Sequence, residues 1–458
     1  MQDILKIKRW ILLAGDLLAL TTSLPIMLFV SFRGALDSRL FLNHLFPFLA
    51  IYFFIVVLFY IGGLYDVRTR KSATSLLPTI LLVHVAGAVF GIIIFYLLTD
   101  FSSVTPKTNL ALAMAVSTAL VWGWRSLIFQ RFVIQHLKIN VAIAGINEHA
   151  KELMSIMNMR PYLGYQLIAL IHTEPFLSQK TDEHVQTFFA DKNLIANLQN
   201  AKIDTVITAE NPHLNPAVAK AFYECIPYKI QFLDLAQSYE LLTGRIPISY
   251  INQTWFLENI NESNKKLYDE AKRIIDICAA AFFLLISAPF WPLIALAIKW
   301  ESAGPVFYAQ ERVGANKKLF RLIKFRSMIK NAEQDKPIWA QKEDRRVTRV
   351  GMFLRKTHLD ELPQMFNILQ GDISLIGPRP ERTEFVRELE RQIPHYNIRH
   401  IIKPGFTGWA QINFRYARTP MDTYEKFQYD LYYLKNRSLI LDIAILLKTV
   451  TLFFKKEK

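Results

Sequence analysis

Four apolar runs fill the first 130 residues of this chain: Trp10–Phe32, Leu45–Leu64, Leu77–Leu98 and Leu110–Phe129. Each reaches the ~20 residues needed to cross the hydrocarbon core of a bilayer, so the opening of the chain reads as a four-span α-helical membrane bundle over residues 1–135. The first run is not a signal peptide, because Asp16 interrupts it and no small-residue cleavage pattern follows. Basic residues sort the orientation. Lys6, Lys8 and Arg9 precede the first run, Arg68, Arg70 and Lys71 follow the second, and Arg125, Arg131 and Lys138 lie at or beyond the end of the fourth. The other two connections hold less positive charge, with Arg33 and Arg39 beside Asp37, then Lys107 beside Asp100. The N-terminus and everything after about residue 135 are therefore expected on the cytoplasmic side.

Lys and Arg total 54 against 39 Asp and Glu, a net charge of +15. Such a balance suits nucleic acid, anionic lipid or anionic substrates, and the apolar runs favour the last two over nucleic acid. Cys225 and Cys278 are far apart and fit no metal spacing, which predicts two reduced, buried thiols.

Residues 136–250 read as an α/β, Rossmann-like cytosolic module. Ile139–Gly145, Tyr165–Ile171, Asp204–Ala209 and Lys229–Leu233 are strand-like, Asn147–Met159 is helix-like, and the alternation predicts parallel βαβ winding. The dinucleotide fingerprint is missing: Gly145 stands alone where three glycines are wanted. Tyr268 and Lys272 make a formal Tyr-x-x-x-Lys pair outside that module, read as coincidence. A linker is expected at 251–267.

The stretch 272–299 is apolar between Arg273 and Lys299, but Ser287-Ala288-Pro289 breaks it midway and Pro292 follows. Proline kinks a helix by removing a hydrogen bond and clashing with the preceding turn. The residues leave open a fifth span or a hairpin that returns to the same face. Beyond it, Pro305–Tyr308 reads as a short strand, Glu311-Arg312-Val313-Gly314 as a turn, and Lys317–Met328 as a basic strand. Residues 331–345 read as a loop or exposed helix, and Ser438–Phe454 as an apolar segment lying on the membrane.

The chemistry concentrates between Thr357 and Pro380. Asp360 and Glu361 precede a helix-like run, and Pro363, tolerated in a first turn, places them at its N-terminal end. Thr357 is an alternative cap one turn earlier. Free N–H groups there would stabilise phosphate. Arg379 sits between Pro378 and Pro380. A carboxylate that attacks phosphorus, a neighbour that holds a divalent cation and a guanidinium for the phosphate make a phosphotransfer site.

Several separated motifs extend this set: Phe320–Met328, Leu354-Arg355, Leu359–Gln364, Pro378-Arg379-Pro380 and Lys403–Gln411. Together they resemble the bacterial sugar transferase family, the polyprenyl-phosphate phosphoglycosyl transferases, over residues 268–458. The resemblance implies a mixed, mainly α catalytic domain whose re-entrant membrane helix at 272–299 breaks at Ser287 and Pro289. It implies transfer of a sugar-1-phosphate from a UDP-sugar, commonly UDP-glucose or UDP-galactose, to undecaprenyl phosphate. That reaction primes exopolysaccharide, capsule or O-antigen synthesis at the cytoplasmic face of a bacterial inner membrane. Asp360 would be the nucleophile, and Glu361 would ligate Mg²⁺ or assist the attack. Lys324, Arg355 and Arg379 would bind phosphate, with Arg312, Gly405, Thr407, Trp409 and Gln411 toward the donor, Trp409 reading equally well as a core or interfacial aromatic. Asp442 would support metal or an arginine. His358, beside the carboxylates, reads as an exposed helix-start residue rather than a base. Membrane lipids are expected partners, and the oligomeric state stays open. The competing readings are a membrane-anchored nucleotide-sugar dehydratase or epimerase, which the missing fingerprint disfavours, and a non-catalytic scaffold, which the intact Asp-Glu pair disfavours.

Overall fold

The computed structural model describes residues 2–34, 38–65, 73–97, 106–133, 137–172, 185–191, 193–209, 216–260, 262, 265–329, 346–414 and 419–454. The expected loop at 331–345 lies outside them, as do Arg68, Arg70 and Lys71. The chain divides into two compact units, Met1–Thr243 and Gly244–Lys458.

In the first unit, α1 (Gln2–Ser31), α2 (Ser38–Ile61), α3 (Ala73–Leu97) and α4 (Pro106–Gly123) carry the four apolar runs, and α4 continues as a π-helix over Trp124–Val133. Each is long and apolar enough to cross a membrane. Helix α1 packs on α2 and α4, and α3 packs on the same two, around Leu20, Met27, Phe48, Ile55, Ile80 and Ala113. Small residues let the helices approach: a Cβ on Gly91 would meet Ile51 at 2.9 Å and Leu110 at 3.0 Å. Two of the charges have a structural use. The Arg125 guanidinium pairs with Asp16 through Nε–H to Oδ1 at 2.9 Å and through Nη2, and gives Nη1–H to the Leu64 carbonyl at 2.9 Å. Both side chains are buried, so each neutralises a charge the other could not leave unpaired in an apolar bundle.

The same unit continues as a five-stranded, all-parallel sheet: β1 (Ile139–Ala144), β2 (Tyr165–His172), β3 (Gln186–Phe189), β4 (Thr205–Thr208) and β5 (Gln231–Asp234), in the order β3-β2-β1-β4-β5. Helices α5 (Glu148–Met159), α6 (Leu194–Asn200), α7 (Pro216–Cys225) and α8 (Leu235–Thr243) follow or connect the strands. Strand β3 escaped the sequence reading because it is an edge strand with three of four residues exposed, so no apolar run marks it. The turn from β1 into α5 is closed by Asn147, whose Oδ1 accepts from Ala150 N–H at 2.8 Å while its Nδ2 donates to the Ala209 carbonyl at 3.0 Å. Glu148 adds a carboxylate to that first helical turn, which disfavours a phosphate there.

The second unit starts with α9 (Gln253–Asn259) in the expected linker, N-capped by Asn252. Helices α10 (Lys266–Ser287) and α11 (Trp291–Glu301) are joined by a 3₁₀ turn at Ala288–Phe290, where Ser287 Oγ accepts from Trp291 Nε1–H at 3.1 Å. The break falls where Ser287 and Pro289 placed it. Both arms rest on the same domain. Arg273 donates to the carbonyls of Ile368 and Leu369 and Asp276 accepts from Leu375 N–H, while Ile298 is buried with Phe325 and Leu354. Between these anchors Phe282, Leu285, Ile286, Phe290 and Leu293 are exposed. Cys278, expected to be buried, lies on this exposed surface, while Cys225 is buried.

The hairpin of β6 (Phe307–Val313) and β7 (Leu319–Phe325) is antiparallel, with Phe307 opposite Phe325. The expected turn at Glu311–Gly314 is corrected: β6 runs through Glu311, Arg312 and Val313, and the reversal lies at Gly314–Lys318, where Asn316 and Lys317 adopt left-handed φ of 52° and 60°. The rest is short: α12 (Arg349–Lys356), α13 (Gln364–Gln370), β8 (Ser374–Ile376), α14 (Thr383–Gln392), β9 (Gly405–Thr407), α15 (Trp409–Asn413), α16 (Pro420–Asn436) and α17 (Leu439–Phe454). Helix α16, missed in sequence, carries a capping box of Thr419 and Asp422 with Pro420 at its first position, a signal that was present to be read.

Candidate active site

Asp360 and Glu361 lie in a single 3₁₀ turn, Leu359–Glu361, wedged between α12 and α13. Thr357 ends α12 instead of capping the next turn, giving its hydroxyl back to the Phe353 carbonyl at 2.8 Å. His358 then turns the chain with a left-handed φ of 56°, exposed to solvent. The N–H groups of Glu361 and Leu362 are committed to the carbonyls of His358 and Leu359. Side-chain cations also gather around the carboxylates.

Those cations arrive from three directions. Strand β7 alternates, sending Phe325 into the core and Lys324 to the carboxylates. Asn367 of α13 fixes β7 by accepting from Ile323 N–H at 3.1 Å and donating to the Arg321 carbonyl at 2.8 Å. Helix α12 offers Arg355 from its last turn, where Arg355 Nε–H donates to Ser327 Oγ at 2.8 Å. The start of α12 is held by Glu301 at the end of α11, whose carboxylate accepts from the N–H groups of Arg349 at 2.6 Å and Val350 at 2.8 Å. Arg379 comes from the loop after β8.

The two carboxylates are treated differently. Glu361 Oε1 accepts from Lys324 Nζ at 2.6 Å and from Arg379 Nη2 at 3.1 Å. Burial opposes its ionisation, but Lys324 and Arg379 outweigh burial and hold the carboxyl well below the usual range. Asp360, 7% exposed, has no such ion pair among the described residues. Burial and the adjacent Glu361 charge push its carboxyl up, against the more distant pull of Lys324, Arg355 and His358. A buried carboxylate without an ion pair, set among cations, has the chemistry that nucleophilic attack on a phosphate group calls for.

The other predicted residues divide between this centre and its supports. Arg312, on β6, reaches the Pro380 carbonyl at 3.4 Å and Gln310 at 2.7 Å, and burial lowers its pKa to about 10. Gly405 and Thr407 form β9, which pairs with β8 beneath the Arg379 loop; Thr407 Oγ1 hydrogen-bonds Thr449 Oγ1 at 2.8 Å. Gln411 Nε2 donates to the Phe406 carbonyl at 3.1 Å. Of the two readings of Trp409, the structure shows the core one: it is buried, stacks on Tyr432 with ring centres 5.3 Å apart and donates its indole N–H to the Gly244 carbonyl. Asp442 is corrected as well. It accepts from Lys272 Nζ and Tyr268 Oη on one oxygen and Tyr433 Oη on the other, all at 2.8 Å, so its cationic partner is a lysine and not an arginine. That network also gives Tyr268 and Lys272 a packing role.

Among the described residues no group of three or more His, Cys, Asp or Glu side chains gathers to hold a metal by itself. The adjacent carboxylates of Asp360 and Glu361 still suit Mg²⁺, which takes one or two carboxylates, keeps waters and completes its shell with substrate phosphates. Residues missed by the sequence reading are the exposed Glu301 and the buried supports Ser327, Tyr396, Arg399, Lys426 and Asp430. From sequence their charges and hydroxyls look solvated, and only capping of α16 pointed toward the last two.

Comparison with known proteins joins this geometry to a lineage. Residues 267–456 match the family described as "Bacterial sugar transferase". A relative from Aeromonas hydrophila, "UDP-N-acetylgalactosamine-undecaprenyl-phosphate N-acetylgalactosaminephosphotransferase", is 45% identical over 226 residues, 49% of this chain and 53% of that protein. The "UDP-glucose:undecaprenyl-phosphate glucose-1-phosphate transferase" of Caulobacter vibrioides is 41% identical over 186 residues, 40% of this chain and 69% of that protein. The protein of the same name from Escherichia coli K12 is 34% identical over 324 residues, 68% of this chain and 66% of that protein. The chain thus spans about half the length of the Aeromonas relative it matches.

Proposed function

The chain belongs to the bacterial sugar transferase family, and from that premise we propose that it transfers a sugar-1-phosphate from a UDP-sugar to undecaprenyl phosphate. The observation that carries the mechanism is the asymmetry of the carboxylate pair: Glu361 is neutralised by Lys324 and Arg379, while Asp360 is buried beside them without an ion pair. Asp360 attacks the β-phosphorus of the donor. The bond from one carboxylate oxygen to phosphorus forms, the bond to the bridging oxygen breaks, and UMP leaves. An oxygen of the acceptor phosphate then attacks the aspartyl-phosphosugar, forming the lipid diphosphate and returning the carboxylate. Two half-reactions let one site handle a soluble donor and a membrane acceptor in turn.

Arg379 and Lys324 bind donor phosphate oxygens and keep Glu361 ionised, and Arg355 neutralises charge beside Asp360. Mg²⁺, held by Glu361 and Asp360, would supply further neutralisation of the diphosphate. The four apolar N-terminal helices span the bilayer, the hairpin of α10 and α11 enters and leaves by the cytoplasmic face, and the site lies on that face with the nucleotide. The all-parallel sheet is a Rossmann-like module with a regulatory or assembly role.

The donor is a UDP-hexose or UDP-N-acetylhexosamine, with UDP-N-acetylgalactosamine, UDP-glucose and UDP-galactose the first candidates because the relatives' names divide among these sugars. The test is UMP release from a panel of UDP-sugars, with and without undecaprenyl phosphate. Lipid-dependent release with one of these donors, and none from Asp360→Asn, is expected. Turnover by Asp360→Asn would remove the covalent route.

A further inference from the structure

The loop that presents Arg379 cannot be held by its own N–H groups at two positions, because Pro378 and Pro380 have none. It is suspended by its carbonyls instead. Four consecutive ones each accept a bond, from three parts of the unit: Pro378 from Gly405 N–H of β9 at 2.8 Å, Arg379 from Arg399 Nη2 at 3.0 Å, and Pro380 and Glu381 from β6, through Arg312 Nη1 at 3.4 Å and Val313 N–H at 3.1 Å. Two donors are backbone groups of strands and Arg312 is partly accessible. Arg399 differs from them all: it is 4% exposed, and its guanidinium faces away from solvent.

Arg399 is itself over-determined. Nη2 also donates to Asp430 Oδ2 at 2.9 Å, and Nη1 donates to Tyr396 Oη at 2.6 Å. Its neighbour Glu381 is ion-paired to Lys426 at 2.9 Å, and Asp430 is the carboxylate in contact with Arg399. A buried arginine needs its acid, but a lysine would satisfy one acid equally well. Only a planar fork reaches the acid, the phenol and the loop carbonyl at once.

We infer that Arg399 is a positioning residue for transfer, acting through the Arg379 carbonyl to aim the Arg379 guanidinium at Glu361 and the donor phosphate. The inference rests on the role proposed above for Arg379. Arg399 touches no substrate. Its effect is on where an exposed arginine spends its time, and displacements of about 1 Å at such a group cost about 100-fold in rate.

The test is a double-mutant cycle in the full-length protein, reading kcat and KM for the UDP-sugar together with thermal stability. Arg399→Lys keeps the charge opposite Asp430 and loses the fork. Tyr396→Phe, which removes one hydroxyl without changing shape, is the milder second variant. Arg399→Lys is expected to lower kcat/KM about 10- to 100-fold, Tyr396→Phe less, and neither is expected to lower activity further once Arg379→Ala is present. Losses from Arg399→Lys and Arg379→Ala that multiply would overturn the inference, as would full activity in both Arg399→Lys and Tyr396→Phe. Full activity of Arg379→Ala by itself would instead overturn the phosphate-binding role of Arg379, and with it the reason for Arg399 to act through it.

Discussion

Gly405→Ala puts the geometry of the loop that carries Arg379 to a direct test. The two short strands β8 and β9 approach so closely that a Cβ on Gly405 would lie 2.0 Å from Gly377 N and 2.6 Å from Gly377 Cα and the Ile376 carbonyl carbon. All three are backbone atoms, so no side chain can swing aside. Ordinary contact begins near 3.4 Å, and the strands must separate by about 1.4 Å to admit the methyl group. Overpacking of this kind costs about 1–3 kcal/mol. The separation also strains two bonds across the pair, Gly405 N–H to Pro378 O at 2.8 Å and Gly377 N–H to Thr407 O at 2.9 Å, worth about 1 kcal/mol each. With both bonds lost the total is about 3–5 kcal/mol, drawn from the segment that leads into Arg379. Because the methyl group removes no donor or acceptor, the lesion is one of position. The assay is kcat/KM for UMP release beside thermal unfolding in the same detergent, with a drop of about 100-fold in kcat/KM expected. Gly405→Ala with activity within twofold of the parent would refute the reasoning, since it would mean that the strand pair does not set the place of the phosphate-binding arginine.

Asp360→Asn should abolish turnover and raise the unfolding temperature at neutral pH. The folded carboxyl titrates above its unfolded value, so its ionisation costs stability as pH rises through the folded pKa, and that cost is absent below the unfolded pKa. The stabilisation by asparagine should therefore fade as the pH is taken below the ordinary aspartate range; a constant or opposite difference would contradict the burial of Asp360. Ser327→Ala frees Arg355 from its hydroxyl partner and should lower kcat about tenfold with little change in stability, measured by the same release assay. Asp16→Asn leaves Arg125 buried without a counter-charge and should destabilise the first unit by about 3–5 kcal/mol, seen as a lower unfolding temperature and reduced yield.

The parts of this protein that could be read from the chain are those in which the signal is contiguous. Runs of ~20 apolar residues announce membrane helices whatever lies beside them, because the bilayer itself is the partner. A Ser-Ala-Pro interruption marks a break for the same local reason. Central strands β1, β2 and β4 are apolar along their length because both faces are covered, whereas edge strand β3 gives no such mark. Asp360, Glu361 and Arg379 were legible as a chemical set because they lie within twenty residues of one another in recognisable motifs.

What the tertiary structure decided is which carboxylate stays unpaired and what stands behind each cation. Lys324 reaches Glu361 across 37 residues, Arg399 reaches Asp430 across 31 and Arg379 across 20, and no local period encodes such pairings. A buried arginine and a solvated one look alike in a sequence. Trp409 shows the same limit from the other side: an aromatic in a glycine-rich loop suits a nucleotide or a core equally, and only the fold shows Tyr432 packed against its face. Chemistry was carried by residue type; position was carried by contacts between segments that only folding brings together.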